Sequence, residues 1–426
     1  MKIETLHSHF LHSSGICTDT RKITPNCLFF ALRGDNFNGN EFAQDALDKG
    51  AYKVVIDDIR AHKNTGETIL HGNSLVLLQK LATFHRNYLK VPIIALTGSN
   101  GKTTTKELIN AVLSQKFQTT ATIGNLNNHI GVPLTLLSMT AKTEFGIVEM
   151  GANHLNEIAQ LSAIVQPDYG YITNFGKAHL EGFGGVEGVI KGKSELYKHL
   201  SENERLVFVN GNDEKQMSLT ADMNRFTFGS GDFDCSIVLK NASGYLQIEY
   251  QGISIQSNLI GLYNFHNIAS AIAIGQYFNV SAENIKIAIE GYTPQNNRSQ
   301  IIEKNGFHII MDAYNANPSS MLAALENFRQ GKGENKILIL GDMFELGEHA
   351  STEHQKIVAY LEEHPFAMAY LIGENFSKTH STTSQVKLFK SFEEFTTFWS
   401  SIRLKGGNLM VKGSRGMALE RILDLL

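Results

Sequence analysis

Apolar positions follow three successive patterns along the chain, and each predicts its own elements. Over the first 90 residues they come in short clusters: a strand over 27–32, a helix over 41–49 closed by Gly50, a strand over 52–56 and a helix over 81–89. Val91-Pro92 follows, and proline disfavours helix in the residue before it, so a boundary is expected there. The next stretch opens on Ile93-Ile94-Ala95-Leu96, too short for a helix and rich in branched residues, which reads as a buried strand. A glycine turn comes next, then Leu108, Ile109, Val112 and Leu113 at helical spacing, in a helix beginning near Thr104. Further strands are expected over 145–150 and 169–173. Strands alternating with helices predict crossover units and a mostly parallel sheet covered on both faces. From 235 to 260 the pattern turns to alternation, the mark of an antiparallel flank, and an apolar helix is expected over 266–277. The third stretch begins near Arg298, with strands over 308–311, 336–340, 367–372 and 409–411 and a helix over 319–328. This resembles a second open, doubly wound α/β unit. Three α/β domains in series are therefore expected.

Composition narrows the class. With 42% hydrophobic and 19% charged residues among 426, the chain can bury sizeable cores and shows no signature of disorder. Lys+Arg 38 against Asp+Glu 42 leaves a net charge of -4, which argues against a general binder of nucleic acid or acidic membrane. Cys17, Cys27 and Cys235 form no CxxC pair, as expected in a reducing compartment. Charge arrives too early at the N-terminus for a signal peptide, and no apolar run approaches the ~18 residues of a membrane span. A cytoplasmic monomer acting on small molecules, without nucleic-acid partners or stable membrane insertion, is expected.

The sharpest chemistry lies in Gly98-Ser99-Asn100-Gly101-Lys102-Thr103-Thr104, between a predicted strand and a predicted helix. Glycines let backbone N–H groups converge on phosphate oxygens, and the helix N-terminus adds unpaired donors and a favourable dipole. Lys102 supplies a point charge for the outer phosphates, and the Thr103 hydroxyl is placed for Mg²⁺. The spacing is shorter than the common phosphate-loop pattern, so an ordinary glycine turn is the plain alternative; the flanking strand and helix speak against it. Glu149 ends an apolar strand and should emerge at the carboxyl edge of the sheet, where α/β folds hold ligands. His179 follows the next strand. Mg²⁺ prefers oxygen, so a histidine ligand needs a second reason, and a solvated loop side chain is the plainer reading.

Several stretches together resemble the Mur ligases of peptidoglycan synthesis. They are 97–107 around the glycine turn, Gly124-Asn-Leu-Asn-Asn-His-Ile-Gly-Val-Pro133, Val148-Glu-Met-Gly-Ala152 and 172–181. Further on come Asn264-Phe-His-Asn267, Asp312-Ala-Tyr-Asn-Ala-Asn-Pro318, Leu340-Gly-Asp-Met-Phe-Glu-Leu-Gly347 and Lys412-Gly-Ser-Arg415. The resemblance implies a small UDP-binding domain (1–90), a central ATPase domain (91–297) and a C-terminal Rossmann-like domain (298–426). It implies ATP with Mg²⁺ as cofactors. Glu149 and His179 would be Mg²⁺ ligands beside Thr103, and a carbamylated lysine, Lys193 with Lys191 as its rival, would support a second metal. Lys193 as a solvated side chain on a charged helix is the plainer alternative. Gly98 to Thr104, Asn267, Arg298 and Asp312 would hold ATP, the last two resembling the pair of residues that holds the nucleotide from the third domain. Asp19, Thr20, Arg21, Asn127 and Asn128 would face the UDP substrate, although Asp19 and Thr20 are also good turn and capping residues.

The family's diaminopimelate-adding members carry an Asp-Asn-Pro-Arg box, which is absent here. The 314–318 and 340–347 stretches look instead like the dipeptide-adding branch, with Asn315 and Asn317 on the D-alanyl-D-alanine side. Asn-Ala-Asn-Pro also reads as a turn capping the helix at Ser319. The expected reaction transfers the γ-phosphoryl of ATP to the terminal carboxylate of a UDP-N-acetylmuramoyl-tripeptide, and D-Ala-D-Ala then attacks the acyl phosphate. Rival readings are a ligase adding another amino acid, a folylpolyglutamate synthase, and a phosphate-loop GTPase or ATPase switch; Asn174-Phe-Gly-Lys177 does not supply the guanine motif a GTPase wants.

Overall fold

The computed structural model describes residues 1–63, 65–402 and 406–426. Three open sheets, one after another along the chain, build a three-domain α/β architecture. The first has four parallel strands in the order Ile16–Cys17, Leu28–Phe30, Lys53–Ile56, Thr68–Leu70. Helices Ile3–His12 and Ser74–Leu89 pack against each other beside it. The hydrophobic spacing predicts the second helix only from 81. It starts at Ser74 because the Asn73 side chain accepts the Val76 N–H at 2.9 Å, satisfying a donor the first turn would leave open. Helix Ile3–His12 was not predicted at all.

Seven parallel strands form the central sheet, in the order Cys235–Ser236, Arg225–Gly229, Leu206–Asn210, Tyr169–Ile172, Ile93–Thr97, Phe145–Glu149, Thr119–Ala121. Ile93–Thr97 is at most 1% exposed at every residue, and its side chains alternate between two apolar clusters on the two faces. That is why it reads as an unbroken apolar run. The glycine-turn helix is Lys102–Leu113, two residues earlier than predicted, and it packs on Leu262–Tyr277, itself a turn longer than predicted. The antiparallel flank begins only at Val238 (Val238–Asn241, Tyr245–Tyr250, Ile253–Ile260). Cys235–Ser236 instead extends the central sheet in parallel, opposite Phe228 and Gly229, because the buried Cys235 side chain joins the central cluster. A two-residue strand carries too little alternation to reveal its direction.

The third sheet runs Gln300–Lys304, Phe307–Asp312, Gly407–Lys412, Lys336–Gly341, Met368–Ile372, Val386–Phe389, its first pair antiparallel and the rest parallel. Helix Pro318–Gln330 follows its second strand. In both larger sheets the strand order reverses beside the strand that leads into the candidate loops, Ile93–Thr97 and Phe307–Asp312, and a crevice forms outside the carboxyl ends at such points. The two carboxyl edges face each other. Among the described residues no helix is long and apolar enough to cross a membrane.

Candidate active site between the facing sheet edges

A cavity of about 590 Å³ lies between these edges, lined by the 99–104 loop, Glu149, His179 and Asn267 of the central domain and by Arg298, Asp312, Asn315, Asn317 and Lys412 of the third. The loop is braced by the chain that follows strand Tyr169–Ile172. Ser99 N–H donates to Asn174 O (3.0 Å) and Ser99 Oγ to Gly176 O (2.8 Å), while Thr173 Oγ1 donates to Asn100 O (2.6 Å). Gly98 (φ +143°) could carry no side chain, since a Cβ would lie 2.0 Å from Thr173 Oγ1; Gly101 (φ +78°) is confronted in the same way by Asn267 Oδ1 at 2.5 Å. The half-buried Lys102 ammonium donates to Gly98 O (2.7 Å) and Ser99 O (3.2 Å). Burial pushes its pKa down, and the charge of Glu149 partly offsets this.

Glu149, 1% exposed, receives Thr103 Oγ1–H (3.2 Å) and Asn127 Nδ2–H (2.8 Å) on Oε1. Its Oε2 is buried with no hydrogen-bond partner among the described residues. A buried carboxylate oxygen left bare is costly, and a hydroxyl beside a carboxylate is the oxygen donor set a hard cation takes. These two residues fit Mg²⁺. Among the described residues no group of three or more His, Cys, Asp or Glu is assembled, so most of the ion's shell would be phosphate and water, its usual habit. The His179 backbone is left-handed (φ +53°), and its Nδ1 lies 2.5 Å from Glu345 Oε2 of the third domain. That contact holds the Glu345 carboxyl below its ordinary pKa, against burial.

Lys193 does not line the cavity. It is fully buried, one layer behind the wall, donating to Ala152 O at 2.9 Å, with Nζ 4.9 Å above the Phe183 ring. Burial pushes its pKa well down, whereas Lys191 is exposed. A solvated Lys193 is thereby excluded.

In the third domain Arg298 and Asp312 are not paired with each other. Arg298 stacks on Tyr314 at 3.5 Å from the ring centre. Asp312 accepts Lys412 Nζ–H at 2.5 Å and Ser299 N–H at 3.1 Å. Lys412 lies on the neighbouring strand and takes the ion pair first. Asn315 Oδ1 accepts the Ala316 N–H (2.9 Å). Asn317 caps helix Pro318–Gln330 by accepting Ser320 N–H (2.9 Å), and its Nδ2 reaches across the interface to Asn100 Oδ1 (2.7 Å). Asn128 Oδ1 accepts Ile130 and Gly131 N–H at 3.1 and 2.9 Å, starting the next helix, and both Asn127 and Asn128 line the cavity.

Asp19, Thr20 and Arg21 lie outside this cavity, on the first domain. Asp19 accepts three bonds from Arg21, which lower its pKa to about 2, and the Arg21 side chain is 86% exposed. Sequence reasoning missed Lys412 and Tyr314 as wall residues and Glu345 as the partner of His179. All three stand inside stretches that carried the family resemblance, which was their only signal.

Comparison with known proteins gives a consistent picture. The Mur ligase middle domain matches residues 96–275, the Mur ligase glutamate ligase domain residues 297–415, and the Mur ligase family catalytic domain residues 12–77. The chain is 34% identical over 429 residues to the UDP-N-acetylmuramoyl-tripeptide–D-alanyl-D-alanine ligase of Bacillus subtilis (strain 168), covering 97% of this chain and 93% of the relative. Its fold is similar to a crystal structure of MurF from Acinetobacter baumannii (TM-score 0.88, 29% identity, 100% and 98% of the two chains). It is also similar to the MurF ligase of Thermotoga maritima in complex with ADP (TM-score 0.85, 25% identity, 98% and 97%).

Proposed function

The chain belongs to the Mur ligase family, and from that premise we propose that it joins D-alanyl-D-alanine to UDP-N-acetylmuramoyl-tripeptide, converting ATP to ADP and phosphate, in peptidoglycan precursor synthesis. The observation that carries this reading is the braced loop Ser99–Thr104 facing Arg298 across one cavity. Lys102 and Arg298 make no salt bridge among the described residues, so two cations are free for a polyanion. A free carboxylate is a poor electrophile. The γ-phosphoryl of ATP passes to one of its oxygens, breaking the bond to ADP. The dipeptide amine then attacks the acyl carbon, and phosphate leaves as the nitrogen loses its proton. Such a transfer needs its anions aligned and neutralised more than it needs covalent help.

In this reading the backbone N–H groups of Gly101 and Thr104 meet the phosphates, Gly98, Ser99 and Asn100 shape the loop around them, with the Ser99 and Asn100 N–H groups already held by Asn174, and Lys102 neutralises the outer phosphates. Arg298, on its Tyr314 platform, meets the nucleotide from the third domain; Asp312 holds Lys412 there, and Asn267 keeps the loop glycine in place. Thr103 and Glu149 hold Mg²⁺, with His179 beside them. Mg²⁺, when bound, supplies charge neutralisation at the phosphates. Burial disfavours the charged form of Lys193, which suits addition of CO₂ to its amine, giving a proton and a carbamate, a metal-seeking anion. Asn127 and Asn128 face the UDP substrate at the cavity, Asp19, Thr20 and Arg21 hold its uridine end on the first domain, and Asn315 and Asn317 border the dipeptide. We place the domain divisions at 90/91 and 297/298 and the reaction in the cytoplasm, carried out by a monomer.

Phosphate release measured with UDP-N-acetylmuramoyl-tripeptide and ATP, with and without D-Ala-D-Ala, tests the reading. Release should require both peptide substrates. Equal release without the tripeptide would overturn it.

A further inference from the structure

We infer that Glu345 is a positioning residue: from the third domain it holds the imidazole of His179 on the central domain, so that the cation site is complete only while the two domains are closed. The inference rests on the reading of His179 as a cation ligand. Glu345 sits in the turn after strand Lys336–Gly341, in the left-handed region (φ +61°), which a non-glycine residue adopts only when its surroundings demand it. His179, opposite it, is left-handed as well. Two such residues facing each other across an interface mark a contact that the fold holds against local preference.

Glu345 grips the opposing chain twice. Its carboxylate meets His179 Nδ1 at 2.5 Å, and its backbone oxygen accepts Glu181 N–H at 3.3 Å. Leu346 and Leu180, the next residues along each segment, are both buried in one apolar cluster. His179 Nδ1 is shut off from solvent and makes no hydrogen bond of regular geometry among the described residues, so Glu345 Oε2 meets it as an ion-pair contact, while the histidine itself borders the cavity. A carboxylate on Nδ1 favours the tautomer protonated there and leaves the Nε2 lone pair as the one available to a metal; a carboxylate behind a histidine ligand both orients the ring and raises its basicity. Other contacts at this junction, Lys177 Nζ to Glu353 (3.2 Å), Lys177 N–H to Ser319 Oγ (2.9 Å) and Asn317 to Asn100, hold the domains together without touching His179. Closure alone therefore does not require Glu345.

The test measures Mn²⁺ binding by electron paramagnetic resonance in the presence of ADP, on the full chain and on E345A, E345Q, H179A, the E345A/H179A double variant and K177A. E345A should bind Mn²⁺ about 10–100-fold more weakly than the parent, as loss of a carboxylate behind a metal-bound histidine typically does. E345Q should fall between, because its amide oxygen can still accept from Nδ1. The double variant should be no weaker than H179A, and K177A should bind as the parent does. Parent-like binding by E345A alongside weakened binding by H179A overturns the inference and leaves the proposed function standing. Parent-like binding by H179A instead removes His179 from the cation site, and the inference falls with that assignment. Should E345A fail to fold, E345Q decides: weakened binding supports the positioning role and parent-like binding overturns it.

Discussion

The two junctions of the central domain are built in opposite ways. Toward the first domain, helix Ser74–Leu89 lies in an apolar seam, with Leu77, Leu78, Leu81 and Ala82 packed in one cluster with Val132, Leu136, Leu161 and Val165. The two largest polar side chains of that helix inside the seam are engaged: Arg86 bonds Asp168 at 2.7 Å and Val165 O at 3.2 Å, and His85 Nε2 donates to Met139 O at 3.0 Å. Toward the third domain the paired side chains are polar, mostly from loops: Lys177 with Glu353, Asn317 with Asn100, Glu345 with His179. An apolar seam must expose its whole area to water when it parts, whereas polar loop contacts exchange their partners for water at small net cost. The first junction is therefore fixed, and the second is suited to opening and closing around substrate.

Breaking the chemistry at the second junction should give the largest effect. Lys102→Ala should lower phosphate release by about 10²–10³-fold or more while leaving the melting temperature unchanged, because the residue neutralises charge in the transition state rather than holding the fold. A variant with normal turnover would remove Lys102 from its assigned role. Next comes the first junction: Leu81→Ala, at a fully buried site, should cost about 2–5 kcal/mol in denaturant unfolding. A cost near zero would mean that the seam is not holding the domains. Lys177→Ala, by contrast, removes a partly exposed ion pair and should cost only about 0.2–1 kcal/mol. Small-angle scattering of that variant should match the parent, because the Asn317–Asn100 and Glu345–His179 contacts still hold the junction; a more extended profile would mean that Lys177 alone sets closure.

The smallest effect is one of pH, at the fixed junction. His7 Nε2 and His85 Nδ1 are 3.0 Å apart in the buried seam, and burial lowers both pKa values, His7 also through the charge of His85. Met139 O can only accept, so His85 donates from Nε2 and receives from His7. Both imidazoles are held neutral in the folded chain, so below about 6.5 the unfolded chain binds more protons than the folded one. Stability should be fully present above that pH and fall as the pH drops toward the lowered folded values. Urea unfolding at a series of pH values should show this slope in the parent and a flatter one in His85→Leu. The same slope in both would locate the acid sensitivity elsewhere.

The legible parts of the molecule were those with local causes. Ile93–Thr97 followed by the glycine turn and helix, Glu149 at a strand end, and Asn317-Pro318 as a helix start each depend on neighbours a few residues away. Strands of two or three residues, such as Ile16–Cys17 and Thr119–Ala121, contain less than one full alternation and were invisible. So was the partner of Asp312: Lys412 lies 100 residues away, and only the parallel pairing of strands Phe307–Asp312 and Gly407–Lys412 makes them neighbours.

By itself, then, the amino-acid order determined where most of the longer strands and helices form, that they build three α/β units, and which loop is shaped for phosphates, because hydrophobic period, glycine and capping residues act over a single turn. Only the tertiary structure decided that Lys193 is buried while Lys191 is exposed, that Asp312 belongs to Lys412 and not to Arg298, and that His179 rests on Glu345. Those choices are made by packing between distant segments, where burial and the first-come ion pair select among partners that look equivalent along the chain.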